Sequence, residues 1–223
     1  LLAMAVKKYA EEQVDERWNR RFVIYLGDII MISQLQEKDD LIAYTDEMDR
    51  LCRMARKVCN ARVTAGIGYL CDSLEQIPFS YQGAKQAVSY RVLYGNTRSI
   101  SISEVEPGET AELQRVDAYA DLIQRIIKKI RVGEENVLQE AIHDFIQWLN
   151  EAHLSMQNYR IVMMELISEL VRFAAGHDLS IDNVSGTGTD AYHQALQMES
   201  TEALEKWLLD LCRHLQREVL HER

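Results

Sequence analysis

The residue of this chain best placed to do chemistry is Asp28, a carboxylate that follows Leu26 and Gly27 between two apolar runs. A carboxylate beside a glycine could hold Mg²⁺ against a triphosphate, because the metal neutralises charge building on the leaving phosphate and glycine lets the backbone approach a nucleotide. The next two positions, Ile29 and Ile30, have no ligand atoms in their side chains. One carboxylate alone at this turn predicts neither a catalytic residue nor a metal site.

The other reactive side chains lack the spacing of a catalytic or metal site. Asp39 and Asp40 are adjacent, and because neighbouring residues point in different directions on a helix, the pair predicts a solvated first helical turn. Residues 186–190, Gly-Thr-Gly-Thr-Asp, follow no predicted strand and lack the lysine of a P-loop, which indicates a loop. No HExxH or comparable zinc spacing occurs among the six histidines, which are His143, His153, His177, His193, His214 and His221.

The composition excludes several classes of protein. With 223 residues, of which 47% are apolar and 27% charged, the chain can form one large domain or two small ones. The formal charge of −10 argues against binding nucleic acid through the chain's own surface, which usually needs a basic face. No apolar run approaches the roughly 18 residues of a membrane span. The spacing of Cys52, Cys59, Cys71 and Cys212 fits neither zinc nor a secreted disulfide framework, so we expect reduced thiols in the cytoplasm.

In the first half of the chain, segments with the apolar spacing of a helix alternate with segments that have the spacing of a strand. The predicted elements are a helix over residues 1–18, strands over 21–26 and 29–33, a helix over 38–60, a strand over 62–69, a helix over 78–94 and a strand over 98–102. Gly27-Asp28 predicts the tight turn of a β-hairpin between the first two strands. Gly66 and Gly68 lie where a side chain would obstruct the close approach of a neighbouring element.

The sequence of the second half of the chain predicts helices and no strands. Residues 104–110 are acidic, contain Pro107 and Gly108 and have no apolar period, so we place a domain boundary there, between domains at 1–106 and 111–223. Ser155 predicts the N-cap of one helix and Ser200 that of the last. The predicted helical runs are 117–132, 134–152, 155–175 and 200–223, with a loop over 177–189.

The motifs of the first half, taken in order, resemble the GGDEF domain, a nucleotide-cyclase-like fold. These motifs are the hairpin, the long helix, the strand Val63-Thr-Ala-Gly-Ile-Gly68, and the helix Tyr81-x-x-Ala-x-x-Ala87 that ends in Gly95-Asn96. The resemblance implies an α+β protein, in which a degenerate GGDEF-like α/β sandwich without its opening strand is followed by an all-α helical domain.

The signature of that family is degraded in this chain. GGDEF domains carry Gly-Gly-Asp/Glu-Glu-Phe at the hairpin turn, and the residues here at that place are Leu26, Gly27, Asp28, Ile29 and Ile30. Leu26 replaces the first glycine and Ile29 replaces the glutamate. The resemblance therefore implies a domain without cyclase activity and without a cofactor.

The whole chain resembles more closely the middle of YesN-type response regulators, through Ile130-Arg-Val-Gly-Glu-Glu135 and Thr201-Glu-Ala-Leu-Glu-Lys-Trp-Leu208. This resemblance implies a non-enzymatic regulatory and dimerisation segment of a bacterial, AraC-family, two-component transcription factor. The implied partners are a second copy, an upstream receiver domain or histidine kinase, and DNA through a helix-turn-helix domain beyond this chain. Both ends of the chain read as interrupted helices, so we expect a longer polypeptide. Two alternatives are a small-molecule or nucleotide sensor without turnover, and a residual cyclase or phosphodiesterase.

Overall fold

A computed structural model of the chain describes residues 1–106, 116–132, 135–181 and 190–221. These residues are mostly helical and contain two separate two-stranded sheets, so the chain is a mixed α+β protein. The chain forms two compact units, one made of Leu1–Arg91 with Gly95–Val105 and the other of Val92–Tyr94 with Glu106–Arg223. Most of the predicted boundary segment, residues 107–110, lies outside the described residues.

The first unit contains both sheets. Its elements are α1 (Leu2–Gln13), β1 (Arg21–Tyr25), β2 (Asp28–Ile32), α2 (Asp40–Val58), β3 (Ala65–Ile67), α3 (Ile77–Ser89), β4 (Ser99–Ser101) and α5 (Ile102–Val105), with the short helix α4 (Arg91–Tyr94) where the two units divide. Strands β1 and β2 form an antiparallel hairpin, and β3 pairs with β4 in parallel. The order of predicted helices and strands is confirmed, although β3 is shorter than residues 62–69.

The helix predicted over residues 1–18 is wrong at its C-terminal end. Helix α1 ends at Gln13, Val14 is extended with φ −71° and ψ 131°, and a separate 3-10 turn covers Glu16–Trp18. The carboxylate of Glu47 on α2 explains the break. One of its oxygens accepts a hydrogen bond from Asp15 N at 2.7 Å and the other accepts from Trp18 Nε1 at 2.8 Å. In a continuous helix Asp15 N would instead donate to the carbonyl oxygen of Glu11, so its bond to Glu47 is incompatible with a helix that continues through Asp15.

The core of the first unit surrounds Trp18, which is only 2% exposed. Its indole meets the ring of Tyr44 edge-on, with 5.3 Å between centroids. Residues from α1, the hairpin, α2 and β3 complete the cluster: Ala10, Val14, Met48 and Ile67 are buried, and Phe22, Met31, Leu35, Leu41, Leu51 and Ala65 pack against them half-buried. Helix α2 thus contributes Tyr44 and Met48 to the centre of this core.

Gly66 within β3 and Gly68 just after it pack directly on α3, as predicted. A Cβ built on Gly66 would lie 2.1 Å from Ala84 O, and one built on Gly68 would lie 1.9 Å from Ser80 O. No carbon atom tolerates such contacts with backbone oxygen, so the two elements could not approach this closely with any other residue at either position.

The second unit contains helices only. They are α6 (Val116–Val132), α7 (Glu135–Glu151), α8 (Met156–Ala175), α9 (Ala191–Leu196) and α10 (Thr201–His221). Helix α6 contacts α7, α8 and α10, and α9 packs on α8. The predicted caps are confirmed: Ser155 Oγ accepts from Asn158 N, and Ser200 Oγ accepts from Ala203 N, both at 3.1 Å. Helix α9 was not predicted, because six residues are too few to show a helical period.

None of the helices in the described ranges is long and apolar enough to cross a membrane. The four cysteines are all free thiols, with Cys52 and Cys212 buried and Cys59 and Cys71 partly exposed. Burial disfavours the thiolate, and it raises the pKa of Cys52 to about 11 and that of Cys212 well above its ordinary value. The two pairs of thiols should therefore differ in reactivity.

We expect Gly68→Ala to lower the free energy of unfolding in urea by about 1–3 kcal/mol, because the added methyl group collides with the α3 backbone. Gly176→Ala is the matched control. A Cβ at Gly176 would lie 3.4 Å from Arg172 O, and its backbone, with φ −68°, suits alanine. The control should leave stability unchanged or raise it slightly. Equal stability of the two variants would contradict the close packing of β3 on α3.

We also expect native protein at pH 8 to react rapidly with dithionitrobenzoate at Cys59 and Cys71 only, and at all four cysteines after denaturation. Because burial raises the pKa of Cys52, the protonated thiol stabilises the folded state. This stabilisation is complete below pH 9.0, the ordinary pKa of the group, and is lost as the pH rises towards about 11. The double variant Cys59→Ser/Cys71→Ser should abolish the rapid phase. Four rapid thiols in the native protein would contradict the burial of Cys52 and Cys212.

Candidate functional site

Leu26, Gly27, Asp28, Ile29 and Ile30, the five residues compared with the GGDEF signature, lie at and after the turn between β1 and β2. Tyr25 and Asp28 are the last paired residues, which leaves Leu26 and Gly27 as a two-residue loop with φ angles of 51° and 88°. Positive φ at both loop positions is typical of a type I′ turn, whose twist matches that of the flanking strands. The predicted turn at Gly27-Asp28 is therefore wrong by one residue, and Asp28 belongs to β2.

Packing explains the position of the turn. In the observed register Phe22 pairs with Met31, and both side chains pack against the core around Trp18. A slip of one residue in one strand would turn every side chain of that strand to the opposite face of the hairpin. The register that buries Phe22 and Met31 therefore overrides the local preference of Gly27-Asp28 for a turn.

The five signature residues have different environments. Leu26 is 80% exposed at the tip of the hairpin, next to Gly27, and Asp28 is also exposed. Ile29 and Ile30 are half-buried within β2, where they pair with Ile24 and Val23 on β1. Ile29 thus contributes an apolar side chain to the hairpin, and Asp28 is the single carboxylate among the five.

The surroundings of the turn are aromatic. Tyr25, at the end of β1, meets the ring of Tyr81 on α3 edge-on, with 6.4 Å between centroids. Lys85 Nζ lies 5.8 Å from the centre of the Tyr81 ring. Neither Tyr25 nor Lys85 is part of a sequence motif that predicts a site. The contact between Tyr25 and Tyr81 joins residues far apart in the chain, and no local motif marks it.

Two of the acidic sequences considered above, Asp39-Asp40 and residues 186–190, contribute carboxylates to the beginnings of helices. Asp40 Oδ2 accepts from the backbone N–H groups of Gln36 and Glu37, both at 3.1 Å, at the beginning of α2. This confirms the interpretation of Asp39-Asp40 as the start of a helix. Of the predicted loop at 186–190, only Asp190 is described, and its carboxylate accepts from Tyr192 N at 3.0 Å to cap α9.

Across the four described ranges, no three His, Cys, Asp or Glu side chains lie close enough together to hold a metal ion. Among the described residues, three histidines each lie beside a separate carboxylate. The three pairs are His143 with Glu205 at 3.0 Å, His193 with Asp190 at 3.5 Å and His214 with Glu218 at 3.8 Å. Single contacts of this kind are common on protein surfaces and do not form a metal or catalytic site.

Two concavities on the surface of the described residues lie away from the hairpin turn. One, of about 320 Å³, is lined by Arg50, Arg53, Met54, Arg56, Lys57 and Thr97. The other, of about 480 Å³, is lined by Glu12, Gln13, Val14, Asp15, Glu16, Arg20, Glu47 and Arg50. Neither includes a residue of the signature, so the turn is an exposed apolar tip rather than the wall of either concavity.

Comparison of the chain with protein-family models, with curated proteins and with solved structures finds no match. The functional interpretation therefore depends on the residues and contacts described above. At the hairpin turn these are one exposed carboxylate, two half-buried isoleucines and a pair of tyrosine rings, which suit packing and protein contacts better than phosphate chemistry.

We expect Leu26→Asn to raise the free energy of unfolding by about 0.5–1 kcal/mol. Leucine at φ 51° carries backbone strain, whereas Asn-Gly is the preferred sequence of a type I′ turn. Leu26→Val is the control, because a β-branched residue is strained further at positive φ and should lower stability. Urea unfolding measures both. Loss of stability in Leu26→Asn would mean that the exposed leucine makes contacts that outweigh its strain.

Proposed function

We propose that this chain is a non-enzymatic regulatory and dimerisation segment of a bacterial AraC-family transcriptional response regulator. In this role it relays an upstream signal to a C-terminal helix-turn-helix domain that lies beyond the chain. The observation that supports this most is the replacement of the carboxylate at the hairpin by Ile29, whose side chain is half-buried in β2 opposite Ile24.

The chemistry of the turn supports a role without turnover. A cyclase must neutralise the charge of a triphosphate with metal ions held by several carboxylates. Asp28 is exposed and alone among the five signature positions, and the first glycine is replaced by Leu26. A degenerate GGDEF-like unit would then serve as a structural part of the regulator, with its hairpin and helices retained for packing.

The charge and the two-unit organisation support a relay rather than a DNA-binding domain. A net charge of −10 disfavours contact with phosphates, so DNA recognition is assigned to a separate domain. A dimeric relay acts on DNA by setting the distance between two recognition helices, because half-site spacing is a geometric constraint. A receiver domain or a histidine kinase would supply the signal, and the cytoplasm is the compartment for all of these steps.

Sensing of a nucleotide at the cleft of active relatives is the alternative. Leu26 lies exposed at the tip of the hairpin, and this weighs against a retained cleft at the turn itself. We therefore keep the relay as the proposed function.

The test is the sequence of the intact native polypeptide, determined beyond residues 1 and 223. We expect a phosphoacceptor receiver domain before this segment and a helix-turn-helix domain after it. A native polypeptide without any helix-turn-helix domain would overturn the proposal.

The purified chain should also form no cyclic dinucleotide from GTP with Mg²⁺ or Mn²⁺, as measured by mass spectrometry. An active GGDEF enzyme in the same buffer is the positive control. A cyclic dinucleotide product from this chain would overturn the non-enzymatic role even if the flanking domains were found.

A further inference from the structure

The outward face of α8 differs from those of α6 and α7. The long exposed side chains of α6 and α7 are polar: Asp121, Gln124, Arg125, Lys128 and Arg131 on α6, and Gln139, Glu140, His143, Gln147 and Asn150 on α7. On α8, by contrast, Ile161, Met164 and Val171 are 43%, 53% and 42% exposed. A helix with one side in a core normally presents polar residues on the other.

The exposed apolar residues of α8 follow a regular spacing. Ile161, Met164, Ser168, Val171 and Ala175 are all exposed and are separated alternately by three and four positions, which is the heptad spacing of a helix-pairing seam. We call these five residues the α8 seam. At 1.5 Å per residue the seam is about 21 Å long.

The α8 seam is distinct from the face that α8 buries in its own unit. That inner face consists of other residues, which are Val162, Met163, Leu166, Ile167, Leu170 and Phe173, all buried. Helix α8 therefore has two apolar faces, one covered within the chain and one exposed. The exposed face is too regular to be a frayed margin of the core.

Charged residues beside the α8 seam are self-complementary. With Ile161 taken as position a of a heptad, Glu165 and Arg172 both fall at position e. In an antiparallel pair of identical helices the two e positions face each other. If Ser168 packs against the partner's Ser168, Met164 lies against the partner's Val171, and Arg172 lies beside the partner's Glu165. Two-fold symmetry repeats both contacts.

Both charged side chains are suitably placed within one copy. Glu165 Oε2 accepts from Tyr119 Oη at 2.9 Å, which holds the carboxylate beside the seam. The side chain of Arg172 is 69% exposed, and its contact within the chain is an ion pair with Glu169 on the same helix. Ser168, the smallest residue at the centre of the seam, lets the two helix backbones approach closely.

We propose that α8 is the dimerisation helix of this protein, and that two copies pair antiparallel through the α8 seam with Ser168 at the two-fold axis. The proposal rests on the proposed function, in which the segment is a dimer, and names the surface that forms it. A second copy is favoured over a flanking domain as the occupant because the charges at position e complement themselves.

The experiment is sedimentation equilibrium of the chain over a range of concentrations, with the variants M164K and V171E alone and mixed. Wild type should reach a dimer, twice the 25.8 kDa of the monomer. A dimer of either variant alone would bury two unpaired charges in the seam, one from each copy. Its dissociation constant should therefore be at least about tenfold higher than that of the wild type. The mixture should recover dimers, because a lysine at 164 then faces a glutamate at 171 of the other copy.

The variant Q147K is the matched control, since Gln147 is exposed on the outward face of α7. It should dimerise as the wild type does. Circular dichroism and thermal unfolding should show that M164K and V171E remain folded, because both positions are exposed in the monomer. A wild-type chain that is monomeric throughout would overturn the proposal, and so would a dimer that M164K and V171E leave intact, or a mixture that does not recover.

The two proposals can fail separately. A native polypeptide without a helix-turn-helix domain overturns the proposed function, and recovery of dimers by the mixed variants still supports the α8 seam. Conversely, a dimer insensitive to both variants overturns the seam and leaves a response-regulator role standing, with its dimer contact elsewhere.

Discussion

The hydrogen bonds of one carboxylate, that of Glu47, organise the first unit. Its two oxygens accept from Asp15 N and Trp18 Nε1, and so they join α2 to the chain segment between α1 and β1. The buried indole that results packs against Tyr44, whose hydroxyl lies 2.9 Å from Ser33 Oγ just after β2. A part-buried polar group is stabilising only when its partners are in place. The entry to the hairpin and the exit from it are therefore both tied to α2.

This constraint extends to the degraded signature. With both ends of the hairpin held against α2, Phe22 and Met31 must face the core, and this sets the register of the strands. The same register places Ile29 opposite Ile24 within the hairpin. An isoleucine there supplies packing where a glutamate would supply a charge that needs a metal or another partner. The same register thus gives this position an apolar contact and no metal-ligand atom.

Sequence patterns predicted the local features of the fold well and the non-local ones poorly. Helices α2, α6, α7, α8 and α10 were predicted because each buries one regularly spaced face, and Ser155 was recognised because an N-cap is a local hydrogen bond. The end of α1 was missed because it depends on Glu47, which is distant in the chain. The turn was misplaced because register depends on burial of Phe22 and Met31. The aromatic contact between Tyr25 and Tyr81, likewise, has no local signal.

The two apolar faces of α8 raise a problem of folding as well as of assembly. While the helices of the second unit are still docking, a rotation of α8 about its own axis could bury the seam instead of the proper face, and the collapsed chain would be trapped. The inner face has more large apolar side chains than the seam, so its burial favours one rotation. The hydrogen bond from Tyr119 on α6 to Glu165 adds to that preference, because the other rotation would carry the carboxylate away from its donor. A polar contact beside an apolar face thus adds to the preference for the rotation that leaves the seam exposed.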